Sequence, residues 1–216
     1  MAEPATYRRH DLVQVDPSAW ATSLAARPDI ADLPWVADWA TRGRPLMVRR
    51  PAEASAAGRI SLGLPLPPSA GKHRLAVELA LGALSEPQSP PLLSDILAGA
   101  PASWRSTLER LVAVDPAVRV FGALAWEALT GLTYLSSGSD VDLLWSAPSR
   151  ERLSELLDAI GAVEAEAPMW VDGEVVWPDG AAVNWRELKS DADEVLVKRM
   201  DGVTTQARRQ FLESHA

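Results

Sequence analysis

The sequence predicts a mixed α/β (α+β) protein in two parts: a smaller N-terminal α+β domain over residues 1–86, and a C-terminal domain over 87–216 in which helices alternate with the strands of a mixed sheet. Three observations carry this. The segment Ser85 to Leu92 (SEPQSPPL) holds three of the 17 prolines, and proline both removes an amide donor and restricts the residue before it. After that break, helical and strand periodicities take turns. Before it the patterning is loose and a basic stretch runs from Arg42 to Arg74.

In chain order, the spacing predicts a helix around Pro34 to Thr41 and a short strand at Leu46 to Arg50. Leu75 to Leu84 alternates like a strand in its first half and reads as helix in its second. Beyond the break, Trp104, Leu108, Leu111 and Val112 fall at helical spacing, and Asp115-Pro116 stops that helix. A strand at Val118 to Phe121 precedes a helix marked by Leu124, Ala128, Leu129 and Leu132. A second strand follows at Val141 to Trp145, then a helix at Arg150 to Ile160 with Ser149 as N-cap and Gly161 just past its end. Met169 to Trp177 is the last strand read. The nine tryptophans have no fixed period and read as core or pocket fillers.

Composition excludes several kinds of chemistry. The 216 residues carry a formal charge of -8, which repels long nucleic acid unless the cations are segregated. With no cysteine there is no thiolate catalysis, disulfide, zinc-thiolate or iron-sulfur site, and three histidines make an all-histidine metal site a poor expectation. The start MAEPATYRRHDLVQV lacks an apolar run of signal-peptide length, and no window approaches the roughly 18 apolar residues that span a bilayer. The expectation is a cytoplasmic protein that binds neither nucleic acid nor membrane. The net charge also hides an asymmetry. Between Arg42 and Arg74, seven cations face Glu53 alone, which makes that stretch +6 and leaves -14 for the rest.

The segment Ser139-Asp140-Val141-Asp142-Leu143-Leu144 is the sharpest chemical signal. On a strand, Asp140 and Asp142 project from one face while Val141 and Leu143 enter the other. Side chains two residues apart lie roughly 6.5 to 7 Å apart along the strand, so two carboxylates can share one divalent ion or flank two. Like charges on an apolar strand are costly unless a cation or donors compensate them. Hard oxygen ligands without His or Cys suit Mg²⁺. The plainer alternative is that Asp140 caps a turn and Asp142 lies at a solvated edge. Eighteen residues before Asp140, Gly122 follows a strand and opens a helix, where a phosphate can approach backbone amides. About 30 residues after Asp142, Asp172 sits in a predicted strand and can add a third carboxylate.

This order of glycine turn, helix, D-x-D strand and later acid resembles the nucleotidyltransferase fold of the DNA polymerase β type. More narrowly, Arg9 to Val13 (RHDLV), Arg44 to Arg50 (RPLMVRR), Gly71 to Arg74 (GKHR), the long block Val120 to Trp145, Val183 to Leu188 (VNWREL) and Val195 to Lys198 (VLVK) resemble the malonate decarboxylase holo-acyl-carrier-protein synthases, the phosphoribosyl-dephospho-CoA transferases. The resemblance implies transfer from 2'-(5''-triphosphoribosyl)-3'-dephospho-CoA to a serine of the apo acyl-carrier subunit of malonate decarboxylase, with release of diphosphate. It also implies that Asp140 and Asp142 bind Mg²⁺ and that Asp172 is the third acid, able to accept the serine proton. Gly122 matches the first residue of the fold's usual Gly-Ser, but Ala123 stands where the serine is expected, which removes a hydroxyl ligand for phosphate.

Arg49, Arg50, Lys72 and Arg74 are candidates for gripping substrate phosphates or an acidic carrier surface. Lys198 either reaches phosphate or snorkels from a strand end. His10 and Asp11 read as fixing the N-terminal domain, Asn184 as binding backbone or nucleotide, Trp126 as core and Glu174 as surface. Two other functions fit the same residues: a nucleotidyltransferase of another specificity, and a non-catalytic module that binds a carrier protein. Ala123 is the one hint of the latter.

Overall fold

The computed structural model describes residues 6–51, 58–71 and 73–215; Lys72 lies outside them. The chain divides into two compact units, one of Met1–Pro90 with Leu129–Tyr134, the other of Pro91–Ala128 with Leu135–Ala216.

In the N-terminal unit the elements are β1 (Leu12–Val13), α1 (Pro17–Ala25), α2 (Pro28–Ala31), β2 (Leu46–Val48), β3 (Arg59–Pro65) and β4 (Arg74–Ala80). The four strands form an antiparallel sheet in the order β1-β2-β3-β4. Asp16 starts α1 by accepting hydrogen bonds from the Ser18 and Ala19 amides, with Pro17 at the first helical position. Trp20, Trp39, Leu46, Leu62 and Leu64 are buried, and both indoles find acceptors: Trp20 donates to the Val36 carbonyl at 2.7 Å and Trp39 to that of Pro45 at 2.9 Å. Tyr134, at the end of the returning segment, donates to the Pro65 carbonyl at 2.9 Å.

Two readings of this unit change. Pro34 to Thr41 is a run of turns, not a helix. Trp35 takes a left-handed φ of 64°, which no helix continues through, and the amides of Val36 and Trp39 bond three residues back. The ambiguous stretch Leu75 to Leu84 resolves as the end of β4 followed by a 3-10 turn at Leu81–Ala83.

The C-terminal unit opens with α3 (Leu93–Ile96), α4 (Arg105–Val114) and β5 (Arg119–Phe121). Next come α5 (Gly122–Thr130), β6 (Val141–Ser146), α6 (Arg150–Glu164) and β7 (Val171–Val176). The remainder is β8 (Ala182–Asn184), α7 (Trp185–Lys189), β9 (Glu194–Lys198), β10 (Val203–Ala207) and α8 (Arg208–Ser214). The sheet runs β10-β9-β8-β7-β6-β5, and β6 with β7 is its parallel pair, joined through α6. Leu153, Leu157, Ile160 and Val163 make the buried stripe of α6.

That stripe carries α6 past Gly161 to Glu164, so the glycine is not a C-cap. A Cβ there would lie 2.9 Å from the Lys189 side chain, whose ammonium pairs with Asp158 across the gap. Ser149 precedes α6 without a side-chain capping bond. Seven of the tryptophans are buried, but Trp170 is 72% exposed and is no core filler. Among the described residues no helix is long and apolar enough to cross a membrane.

Asp179 closes the C-terminal end of this unit. It accepts from Arg199 at 2.5 Å and from the Ala181 amide at 3.0 Å, and lies 3.2 Å from His215, whose ring stacks near Phe211 and Trp177. Burial pushes the carboxyl pKa up, but Arg199, the Ala181 amide and His215 together pull it down to about 2. A native pKa below the unfolded value of about 3.9 stabilises the fold above that pH, and the gain is lost as pH falls toward 2. Asp179→Asn should therefore destabilise the protein by about 1 kcal/mol at pH 7, after discounting for solvent screening of a half-exposed pair. Unfolding curves at several pH values should show wild type and variant converging at the acid end.

Candidate metal centre

The register of the parallel pair builds the site. Val141 lies beside Val171 and Asp142 beside Asp172. Val141, Val171 and Leu143 are fully buried, so strand alternation turns Asp142 and Asp172 to the other face. Asp140 immediately precedes β6. One carboxylate oxygen from each of Asp140, Asp142 and Asp172 lies within 4.8 Å of the others. Around an octahedral Mg²⁺ with oxygens about 2.1 Å from the metal, ligand oxygens sit about 3 to 4.2 Å apart, so small side-chain rotations suffice to close the three onto one ion.

Two glycines make room for this. A Cβ on Gly173 would meet the Leu143 carbonyl oxygen at 2.2 Å, so the close pairing of β6 with β7 at that rung requires glycine. Gly122 follows Phe121, which pairs with Asp142 across β5 and β6. Its φ is +67°, and a Cβ there would fall 1.7 Å from Asp142 Oδ2. The glycine read as a phosphate turn is thus also the seat of the Asp142 carboxylate. Ala123 follows it in the first turn of α5.

Asp172 is held by donors. Its Oδ1 accepts from Asn184 Nδ2 at 2.8 Å and from the Gly173 amide at 2.8 Å, which leaves Oδ2 for a ligand. Asn184 also caps α7, its Oδ1 accepting from the Arg186 amide at 2.9 Å. Its two roles in one place set the angle of the third carboxylate, and the alternatives of backbone or nucleotide did not include this partner. The sequence signal for the cap was an Asn directly before a short helical run; the partner lies 12 residues away across a strand pair.

The same sheet face carries a second polar pair. Glu174 lies opposite Asn184, and Ala182, two residues along β8, lies opposite Lys198. Alternation therefore puts Lys198 and Glu174 on the face of the aspartates, where the ammonium meets the carboxylate at 2.8 Å. Glu174 is 5% exposed, so it is a buried ion-pair partner, not surface. Trp126 is buried as core. Arg186 packs its guanidinium against Trp170 and Trp185, donates to the Val171 carbonyl and pairs with Glu164, bracing the start of β7.

Arg49, Arg50 and Arg74 belong to the N-terminal unit: the first two follow β2, and Arg74 opens β4. Asp11 is buried there and accepts from the Arg8 amide at 2.7 Å, while its carbonyl takes the Val48 amide, in keeping with a fixing role.

Comparison with known proteins addresses both units. The model for the phosphoribosyl-dephospho-CoA transferase MdcG C-terminal domain matches residues 92–209, and that for the N-terminal domain matches 8–90. A phosphoribosyl-dephospho-CoA transferase of Bradyrhizobium diazoefficiens is 42% identical over 208 residues, covering 94% of this chain and 92% of the relative. One of Xanthomonas campestris pv. campestris is 37% identical over 200 residues, covering 90% and 91%. One of Pseudomonas putida W619 is 31% identical over 201 residues, covering 88% of each. No solved structure matches the chain.

Gly122→Ala tests the seat. A left-handed non-glycine residue costs roughly 1 to 2 kcal/mol, and the added methyl must displace the Asp142 carboxylate. The variant should melt lower by that amount and bind Mn²⁺, used as a spectroscopic substitute for Mg²⁺, more weakly than wild type. Unchanged metal affinity would show that Asp142 does not need that position.

Proposed function

The chain belongs to the phosphoribosyl-dephospho-CoA transferase family and is a transferase enzyme of that class, and we propose that Asp140, Asp142 and Asp172 are its catalytic centre. The donor in this reading is 2'-(5''-triphosphoribosyl)-3'-dephospho-CoA, and the acceptor is a serine of the apo acyl-carrier subunit of malonate decarboxylase. The serine oxygen bonds to the phosphorus nearest the ribose, the bond from that phosphorus to the diphosphate breaks, and the serine proton passes to a base. The single observation that carries the proposal is the convergence of three carboxylates on one face of a parallel strand pair.

Such a cluster is a liability without a cation, and an all-oxygen donor set suits Mg²⁺. The ion, when bound, neutralises charge on the transferring phosphoryl group and on the leaving diphosphate. Asp140 and Asp142 hold it from one strand. Asp172, fixed through Oδ1 by Asn184 and the Gly173 amide, keeps Oδ2 for the metal or for the serine proton. The Gly122 and Ala123 amides, at the start of α5, offer donors to a phosphate oxygen without the hydroxyl that a serine would add. Lys198, paired with Glu174, lies on the same sheet face. In this scheme residues 87–216 form a nucleotidyltransferase-like catalytic domain, and residues 1–86 supply Arg49, Arg50, Lys72 and Arg74 for substrate or carrier.

The test is to mix the protein with apo carrier subunit, the triphosphoribosyl precursor and Mg²⁺. The carrier should gain the mass of the phosphoribosyl-dephospho-CoA group as diphosphate is released. Asp142→Asn should fold normally and lose activity by at least about two to three orders of magnitude. A folded variant with near-normal turnover would remove Asp142 from the mechanism, and equal labelling of the carrier from ATP would overturn the assignment of the donor.

A further inference from the structure

The N-terminal unit contains a pocket of about 370 Å³ that the catalytic scheme leaves without a defined ligand. Arg9 and His10 form one wall, and residues 47–51, including Arg49 and Arg50, form the other. Three arginines and a histidine are among its lining residues, and among the described residues no carboxylate is. Arg49 and Arg50 bring two like charges to one cavity, which an anion would offset.

The walls are built to hold this shape. The His10 amide donates to the Val48 carbonyl at 3.0 Å and the Val48 amide to the Asp11 carbonyl at 2.7 Å, which straps residues 8–11 to β2. His10 has a left-handed φ of 72°, a conformation unfavourable for a non-glycine residue that persists where the surroundings enforce it. Arg9 lies 3.2 Å from His10 Nε2. Arg50 Nε is buried with no hydrogen-bond partner among the described residues. The exposed Arg49 guanidinium likewise has no hydrogen bond or ion pair to a side chain among the described residues.

Arg49 also lines a neighbouring cleft of about 740 Å³. That cleft is walled by small residues such as Ala19, Ser23 and Ala76, with Arg27, Arg59 and Glu78 among its charged points. A cationic pocket that continues past one arginine into a larger, mostly apolar cleft is shaped for an anion with an organic group attached.

We propose that the Arg9, His10, Arg49 and Arg50 pocket is a diphosphate site, and that its ligand is a diphosphate ester whose organic part lies in the adjoining cleft. Arginine forks match phosphate oxygens two at a time, and a diphosphate offers enough acceptors for several of them. The proposal rests on the transferase reading only for the identity of the ester. The donor named above carries two anionic groups, a triphosphate that reacts and the diphosphate of its dephospho-CoA part that does not, and the second needs cations of its own.

The experiment is calorimetric titration of the whole protein in EDTA, so that the carboxylate cluster holds no metal. The probes are dephospho-CoA, inorganic diphosphate and dephosphorylated pantetheine. Dephospho-CoA should bind, inorganic diphosphate should bind more weakly, and pantetheine should not bind. Arg49→Gln and Arg50→Gln should each weaken dephospho-CoA binding about ten-fold or more, the loss expected for a charge-assisted contact. Arg49 is exposed, so its variant should keep the wild-type melting curve, which separates loss of contact from loss of fold. Asp142→Asn should bind dephospho-CoA like wild type. Absence of binding by dephospho-CoA, binding unaffected by both arginine variants, or binding lost in Asp142→Asn would each overturn the site. If the carrier-labelling assay fails while this arginine-dependent binding holds, the transferase scheme falls and the pocket stands; the opposite pattern removes the pocket alone.

Discussion

The parallel pairing of β6 with β7 is the constraint on which the C-terminal unit depends. It sets Asp142 beside Asp172 on neighbouring strands, with Asp140 at the head of one of them. Two carboxylates about 5 Å apart repel by about 3 kcal/mol at an effective dielectric near 20. Three such groups make a fold that is stable only because other features offset them. The opposite face supplies burial through Val141, Leu143, Trp145, Val171 and Val175. The aspartate face supplies donors, the Asn184 amide group and the Gly173 N–H, to Asp172 Oδ1. What remains uncompensated is available to a cation, and a bound cation returns its binding energy as stability of this sheet.

The two glycines show how the backbone is subordinated to that arrangement. Gly173 lets β7 approach the Leu143 carbonyl and the Trp145 ring, and Gly122 lets a carboxylate rest where any other residue would place its Cβ. Neither position is a flexible joint. Both are places where an atom of another group occupies the volume of a missing side chain. This accounts for the intolerance expected of Gly122, where Asp142 Oδ2 lies in the volume a side chain would take.

Much of this was legible from residue order, and the parts that were not share a physical reason. Alternation along Val141 to Trp145 said which face Asp142 takes, and the proline after Asp115 ended α4 where expected. Alternation cannot say which strand lies alongside, so the parallel register and the Asn184 contact appeared only in three dimensions. Trp35, Val36, Trp39 and Ala40 have helical spacing, yet a single left-handed residue converts the same apolar pattern into turns that bury Val36 and Trp39. Gly161 looked like a helix stop because its other use, space for Lys189, comes from a segment 28 residues later. Trp170 departs from the rule that tryptophan fills cores because Arg186 supports its ring from one side while the rest stays in solvent.

Charge segregation follows from the same constraint. A cation placed next to the three aspartates would pair with them and compete with a metal for their oxygens. In the C-terminal unit the cations near the sheet are committed to other acids: Arg186 to Glu164, Lys189 to Asp158, Lys198 to Glu174 and Arg199 to Asp179. Neither Asp140 nor Asp172 has an ion-pair partner among the described residues. Arg49 and Arg50, which have no ion pair among the described residues, are in the other unit, in the stretch whose charge is +6. In the proposed scheme, which pairs a divalent cation with a polyanionic substrate, anionic and cationic sites that do not neutralise each other are needed. The net charge of -8 lies almost wholly on the C-terminal unit, where 20 acids face 11 Lys and Arg, while the N-terminal unit is close to neutral and holds most of its cations in one stretch.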